Sequence, residues 1–377
     1  MRFYRKPLRT MVAAGVVLLA FVAPAAAQAS GPERLDAAKL QAALDGVHRA
    51  GIHGAISRLD QGHGTWRGAS GVADLVTSRP VRPHFQHRIG SVTKAFTAVA
   101  VLQQVGLGGI DLDAPIGRYL PDLVPGERGQ RVTVRMLLEH TSGIGNYIAP
   151  LFPSMPDSLA SVDAYRFRSL SARDLALTGL AEPPTGEPGA AEAYSNTNYV
   201  LAGLILERVT GQPAQEYITR NVIERAGLRA TYFPGNDPSM RGPHSKAYLT
   251  LASGESGEYS IYNMTWGGTA GALVSTADDL AGFARALLGG RLLPPEQLAE
   301  MKARTVTIDP IDLAGCQTWM TAGTVMGMET VVLASDDGRR VLVYEANTTD
   351  QRPERAEAIQ AALLTFIRTA GEQGLCH

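Results

Sequence analysis

Apolar residues recur at helical spacing over residues 35–50 (LDAAKLQAALDGVHRA), and Gly51 and Gly54 close the pattern. Next, GAISRLD and TWRGASGVADL flank QGHG, which predicts a β-hairpin. IGSVTKAFTAVAVLQQVG, residues 89–106, predicts an apolar helix opened by a serine and a lysine. From about Gly108 to Tyr262 the pattern changes to short helical runs broken by Pro and Gly. RVTVRMLLEHTSG and SNTNYVLAGLILERVTG are the clearest of them, and no alternation there is strong enough to build a sheet. GALVSTADDLAGFARALLGG has a strand-like start and then a helix opened by Ser275 or Thr276, with Asp279 at capping distance. METVVLASDDGRRVLVYEAN predicts a hairpin around Asp337-Gly338, and PERAEAIQAALLTFIRTAG an amphipathic terminal helix.

That order is helix, strands, a long helical insertion, strands, helix. It predicts an α+β fold: an antiparallel sheet built from both chain ends and flanked by helices, with an all-helical lobe inserted. The expected organisation is one catalytic unit, with residues 30–107 and 263–377 forming the α/β lobe and 108–262 the helical lobe. Chemistry is expected in the crevice between the lobes.

Composition alters this picture at two points. The first is the N-terminus, where Arg2, Arg5, Lys6 and Arg9 precede an apolar run from Met11 to Val22, followed by APAAAQAS. A run of ~12 apolar residues is short for a bilayer span, so residues 1–29 are expected to be a secretory signal cleaved near Ala27 or Ala29. A retained anchor is the competing reading. The second point is the pair of cysteines, Cys316 and Cys376. In an exported protein such a pair tends to close. A bridge of this loop length stabilises by roughly 4 kcal/mol in the chain-entropy model. The rest is mildly acidic: without the four N-terminal basic residues, 31 basic face 36 acidic side chains. Neither a basic stripe nor a nucleic-acid motif is present, and the eight histidines show no HxxxH or HxH spacing. No metal, nucleotide cofactor or nucleic-acid partner is therefore expected, nor membrane attachment after signal cleavage. Oligomeric state leaves no trace in the sequence.

Of 35 basic residues only five are lysines, Lys6, Lys39, Lys94, Lys246 and Lys302. Arginine cannot act as a base, because its pKa stays above ~12. Lys94 follows Ser91 by three positions, which places both on one helix face. A serine hydroxyl needs a neighbouring base to become a nucleophile, and a desolvated lysine can be that base. Ser-x-x-Lys alone fixes only two positions and arises often by chance. A second element, Tyr194-x-Asn196 in AEAYSNTNYVLAG, stands just before another apolar helix. A phenol there can relay a proton, and an asparagine amide can hold both the lysine and a substrate carbonyl.

The succession GSVTKAF, LLEHTSGI, YSNTNYVLAG and GALVSTADDL resembles the class C β-lactamase and penicillin-binding serine hydrolases, and is most similar to their secreted D-alanyl-D-alanine carboxypeptidases. The likeness runs from about residue 35 to the C-terminus. It implies Ser91 as acylated nucleophile, Lys94 as its base, Tyr194 as general acid and base, and Asn196 as the group positioning substrate and lysine. It also implies an oxyanion site made by the backbone N–H groups of Ser91 and Thr324, with Gly323 beside them. His140 and Ser142 fall in a segment that is mainly structural in the family. Trp266 matches a family aromatic on the cleft wall that packs on substrate; a partly buried core tryptophan fits the same text.

The chain departs from the family at its third element, a Lys/His-Thr/Ser-Gly strand facing the serine. Here Thr321 and Ala322 stand where the polar residues are expected, before Gly323 and Thr324. The Tyr-Gly-x-Gly strand upstream, with its carboxypeptidase arginine, is shortened or missing over 305–315. Charge-assisted bonds to a substrate carboxylate contribute on the order of 1.5–3 kcal/mol each, so their loss lowers affinity for such substrates by powers of ten. The expected enzyme forms an acyl-enzyme from an ester or amide lacking an adjacent free carboxylate and passes the acyl group to water or an amine. Two alternatives remain: a peptidoglycan D-alanyl-D-alanine carboxypeptidase or β-lactamase with Arg304 or another arginine rebuilding the anion site, and a non-catalytic cell-wall-binding relative.

Overall fold

The computed structural model describes residues 35–376 apart from Pro156, 304–306 and Ala314. The expected signal sequence and Arg304 lie outside these residues. The strands in chain order are β1 (Gly54–Gln61), β2 (Thr65–Asp74), β3 (Arg79–Pro80), β4 (His87–Arg88), β5 (Tyr248–Thr250) and β6 (Ser256–Glu258), then β7 (Val274–Ser275), β8 (Asp309–Leu313), β9 (Cys316–Val325), β10 (Met328–Ser335), β11 (Arg340–Ala346) and β12 (Thr348–Asp350).

A seven-stranded antiparallel sheet runs β3-β2-β1-β11-β10-β9-β8. The two chain ends meet where β1 pairs with β11, from Ala55 opposite Ala346 to Gln61 opposite Arg340. Alternation then assigns the faces. Ala55, Leu59, Leu342, Tyr344, Val331 and Leu333 pack with Leu40, Leu44 and Val47 of the helix Ala37–Ala50 and with Ile359 and Phe366 of the terminal helix Pro353–Ala370. Ile56, Val332, Val341 and Val343 face the larger core, built around the helix Thr93–Gly106. Burying each such aliphatic side chain stabilises by about 1.5–3 kcal/mol before chain entropy is set against it.

The two hairpins and the terminal helices form where the hydrophobic pattern places them. Of the two candidate caps, Thr276 closes the helix Ala277–Leu288, accepting the N–H of Asp279 at 3.2 Å. Cys316 and Cys376 are joined as a disulfide, tying the start of β9 to the end of the chain.

Two expectations need correction. The 108–262 stretch, expected to be all-helical, also contains β5 and β6, which with β12 form a small sheet in which β5 runs parallel to β12. Three-residue strands show no readable alternation, and the partner of β5 comes from the far end of the chain. The 305–315 region, whose strand is expected to be shortened or missing, contains the five-residue β8, which pairs with β9 from Asp309 opposite Met320 to Leu313 opposite Cys316. Pro310 disguises it, since proline is tolerated in a strand only where, as here, the strand lies at a sheet edge. Because β8 begins at Asp309, opposite Met320, residues 321–325 have no strand partner on that side among the described residues. That open edge carries the site.

Candidate active site

Ser91 lies in a single 3₁₀ turn, Gly90–Val92, that runs directly into the helix Thr93–Gly106. Every residue from Thr93 to Gln103 is buried, and the polar ones among them, Thr93, Lys94, Thr97 and Gln103, are hydrogen-bonded inward, so this is a central helix. Two glycines bring the turn against the open edge of β9. Gly90 has φ 52°, and a methyl on it would stand 3.0 Å from the backbone N of Thr324. A methyl on Gly323 would stand 2.1 Å from the carbonyl of Ile89 and 2.7 Å from the N of Ser91. Only backbone fits between these segments, which brings the N–H groups of Ser91 and Thr324 into one neighbourhood, the arrangement an oxyanion site requires.

The Lys94 Nζ contacts the Ser91 Oγ at 3.2 Å, the Asn196 Oδ1 at 2.7 Å and the Ala270 carbonyl at 2.8 Å. These oxygens are all neutral, and Lys94 is 2 % exposed. Burial without a counter-charge holds its amine well below the ordinary value of 10.5. A free amine has two hydrogens and one lone pair. The amide and carbonyl oxygens only accept, so they take both hydrogens and leave the lone pair for the Ser91 hydroxyl. In such an arrangement an amine can act as base toward the hydroxyl.

The Tyr194 hydroxyl lies 2.7 Å from the Ser91 Oγ, and the Lys94 Nζ stands 4.9 Å from the Tyr194 ring centre. Burial pushes this phenol up to about 12, with the Ser91 hydrogen bond pulling the other way. It is therefore a phenol, with its proton in place, across the neutral range. Tyr194 as a residue remains 39 % exposed, so it borders solvent.

Asn196 opens the helix Asn196–Thr210. Its backbone N–H and its Nδ2 both point to the Asn146 Oδ1, at 3.3 and 3.4 Å, which turns its own Oδ1 toward Lys94. Asn146 was absent from the expected set, as was the Ala270 carbonyl, held in a short helical turn, Gly268–Gly271. Asn146 lies in an irregular segment whose text carries no spacing cue, and a backbone carbonyl has no residue-type signal at all.

The structure thus brings Ser91, Lys94, Tyr194 and Asn196 together, with Gly323 and Thr324 against the serine turn. Trp266 is half-buried, packed edge-on against Phe152 at 5.3 Å and near Tyr262, while the Tyr147 hydroxyl donates to its carbonyl at 2.7 Å. Ser142 donates to the Asn198 Oδ1 at 2.7 Å within a buried network that includes His140. Thr321 shares the β9 face of Gly323 by alternation, so a short hydroxyl occupies the position where the resemblance expected a cation or imidazole.

Comparison with known proteins agrees with this fold. A family model described as Beta-lactamase matches residues 37–365. Esterase EstB of Burkholderia gladioli is 36% identical over 215 residues, 54% of this chain and 54% of the esterase, so the match spans about half the length of that relative. Penicillin-binding protein 4* of Bacillus subtilis is 23% identical over 340 residues, 82% of this chain and 71% of its own length. Among solved structures, a D-stereospecific amidohydrolase from Streptomyces sp. superposes with TM-score 0.77 at 32% identity, covering 87% of this chain and 98% of its own. D-amino acid amidase from Ochrobactrum anthropi SV3, at 24% identity and TM-score 0.76, shares the fold over 89% of this chain and 98% of its own.

Proposed function

Since the chain belongs to the β-lactamase family, we propose that it is a serine acyl hydrolase or acyltransferase that works through an acyl-enzyme on Ser91. The observation that carries this reading is the contact of the Lys94 Nζ and the Tyr194 hydroxyl with one serine oxygen, the lysine being buried among neutral oxygens.

The free Lys94 amine takes the Ser91 proton as Oγ bonds to the substrate carbonyl carbon. The carbonyl π electrons move to oxygen, where the N–H groups of Ser91 and Thr324 receive the charge. As the carbonyl re-forms, the bond to the leaving group breaks and its electron pair takes a proton through Tyr194. Water, or an amine, then attacks the acyl carbon; its proton passes through Tyr194 to Lys94, the bond from that carbon to the Ser91 Oγ breaks, and the proton returns to the Oγ. No change of oxidation state occurs.

The favoured substrate is an ester or amide without a free carboxylate beside the scissile bond, because Thr321 and Ala322 supply no cation to the β9 edge. Similarity to an esterase and to an amidohydrolase supports both acyl classes. The competing substrate, an acyl-D-Ala-D-Ala peptide, carries such a carboxylate. Turnover of p-nitrophenyl esters is compared with D-Ala release from acyl-D-Ala-D-Ala: ester turnover is expected to dominate, and faster D-Ala release rejects the assignment. We further propose export, with residues 1–29 removed; N-terminal sequencing of protein recovered outside the cytoplasm tests this.

A further inference from the structure

His140 has φ 57°, a left-handed backbone that residues other than glycine seldom adopt. Such a conformation persists where the surroundings hold it, and its occurrence near a site is a reason to ask what it does. Its carbonyl accepts the N–H of Ala193 at 2.8 Å. Its Nδ1 accepts the N–H of Ser195 at 3.2 Å. Its ring lies 4.4 Å from the ring of Tyr194, tilted by 36°. One residue therefore grips the segment 193–195 at three consecutive positions.

The histidine ring is itself oriented. Asn198 accepts the Ser142 hydroxyl at its Oδ1, which turns its Nδ2 to the His140 Nδ1 at 3.1 Å. Both groups facing Nδ1 are donors, so Nδ1 bears no proton and the neutral ring carries its hydrogen on Nε2. Ordinary helix capping does not hold this segment. Ser195, the N-cap of the helix Asn196–Thr210, makes no side-chain cap bond, and its Oγ donates to the Gly145 carbonyl at 2.9 Å instead.

We propose that His140 is a positioning residue for Tyr194: it holds the phenol against Ser91 without touching substrate itself. This rests on the proposed function, which gives Tyr194 its part in proton transfer. A misplacement of about 1 Å in a reacting group lowers rates by about 100-fold. Replacing His140 is therefore expected to act on kcat through Tyr194 and to leave KM nearly unchanged.

The test is a double-mutant cycle on a p-nitrophenyl ester, with thermal melting as a check on folding. His140→Ala is expected to lower kcat by about 100-fold with KM within about threefold. His140→Asn keeps an acceptor near the position of Nδ1 and tolerates the left-handed backbone, so it recovers about tenfold of that loss. In a Tyr194→Phe background, His140→Ala lowers kcat by no more than about twofold, because the group it positions is already gone. A full loss persisting in that background, or unchanged kcat in folded His140→Ala, overturns the proposal. If His140→Ala does not fold, the cycle is run with His140→Asn, whose smaller loss must vanish in the same way. Fluorophosphonate labelling of the unmodified protein separates the two claims. Labelling at Ser91 together with additive losses overturns the positioning role alone; no labelling overturns the proposed function and this role with it.

Discussion

The Lys94 Nζ stands 3.2 Å from the Ser91 Oγ, and its other two contacts, Asn196 Oδ1 and the Ala270 carbonyl, are oxygens that can only accept. Burial without a counter-charge favours the amine over the ammonium. Its lone pair has one direction left, toward the serine.

Lys94→Arg tests that relationship most sharply among single substitutions. Arginine stays protonated in this range and offers no lone pair to the serine. The kcat/KM for a p-nitrophenyl ester is expected to fall by at least about 1000-fold, since general-base catalysis contributes about 100- to 10,000-fold. A loss below tenfold in a folded variant would show that another group activates Ser91.

The pH profile follows from the same burial. Lys94 must be free of its proton to act, and its value lies well below 10.5, so kcat/KM rises with pH through that depressed value and then levels. Tyr194, pushed up to about 12, adds no descending limb until pH approaches that figure. Stability from Lys94 moves the same way: between its folded value and 10.5 the unfolded chain binds more protons than the folded one, so this group's contribution rises with pH across that window. A rate that falls as pH rises from neutral would contradict the assignment of the amine.

The reasons some of this is readable from sequence are local. Ser91, Lys94, Tyr194 and Asn196 belong to short runs beside apolar helices, where spacing decides which side chains share a face. The short apolar runs TVVLA in β10 and VLVY in β11, flanking Asp337-Gly338, likewise mark strands buried on both faces of the sheet. Asn146, the Ala270 carbonyl and the left-handed backbone of His140 depend on which segments meet in space, and no single run contains that information. β5 pairs with β12 across a separation too long for any local pattern, and β8 hides behind Pro310.

Gly323→Ala addresses the oxyanion neighbourhood. The added methyl would stand 2.1 Å from the Ile89 carbonyl, so β9 and the serine turn must separate. Stability is expected to drop by about 1–3 kcal/mol, and activity by at least about 100-fold, the effect of losing one oxyanion donor. Urea unfolding and ester turnover measure both. Near-normal turnover would place the developing charge elsewhere.

Cys376→Ser separates stability from chemistry. Cys316 is the first residue of β9, whereas Gly323 and Thr324 lie at its other end. Loss of the bridge is expected to lower unfolding free energy by about 2–4 kcal/mol, read by urea titration under oxidising conditions, while kcat at 25 °C stays within about twofold because distant sites act independently. A large kcat loss in the folded variant would mean the bridge supports the site directly.

Thr321→Lys places a cation on the β9 face that Gly323 shares. Charge-assisted binding of a carboxylate contributes about 1.5–3 kcal/mol, so the ratio of D-Ala release to ester turnover is expected to rise by at least tenfold. An unchanged ratio would remove Thr321 as the reason for the substrate preference.

The central claim is an acyl-enzyme on one named oxygen. Intact-mass measurement after brief exposure to a p-nitrophenyl ester, with Ser91→Ala in parallel, tests it most directly. The account predicts an acyl adduct on the unmodified protein, mapped to the peptide containing Ser91, and none on the variant. An equal adduct on Ser91→Ala, or ester turnover that survives that substitution, would contradict it.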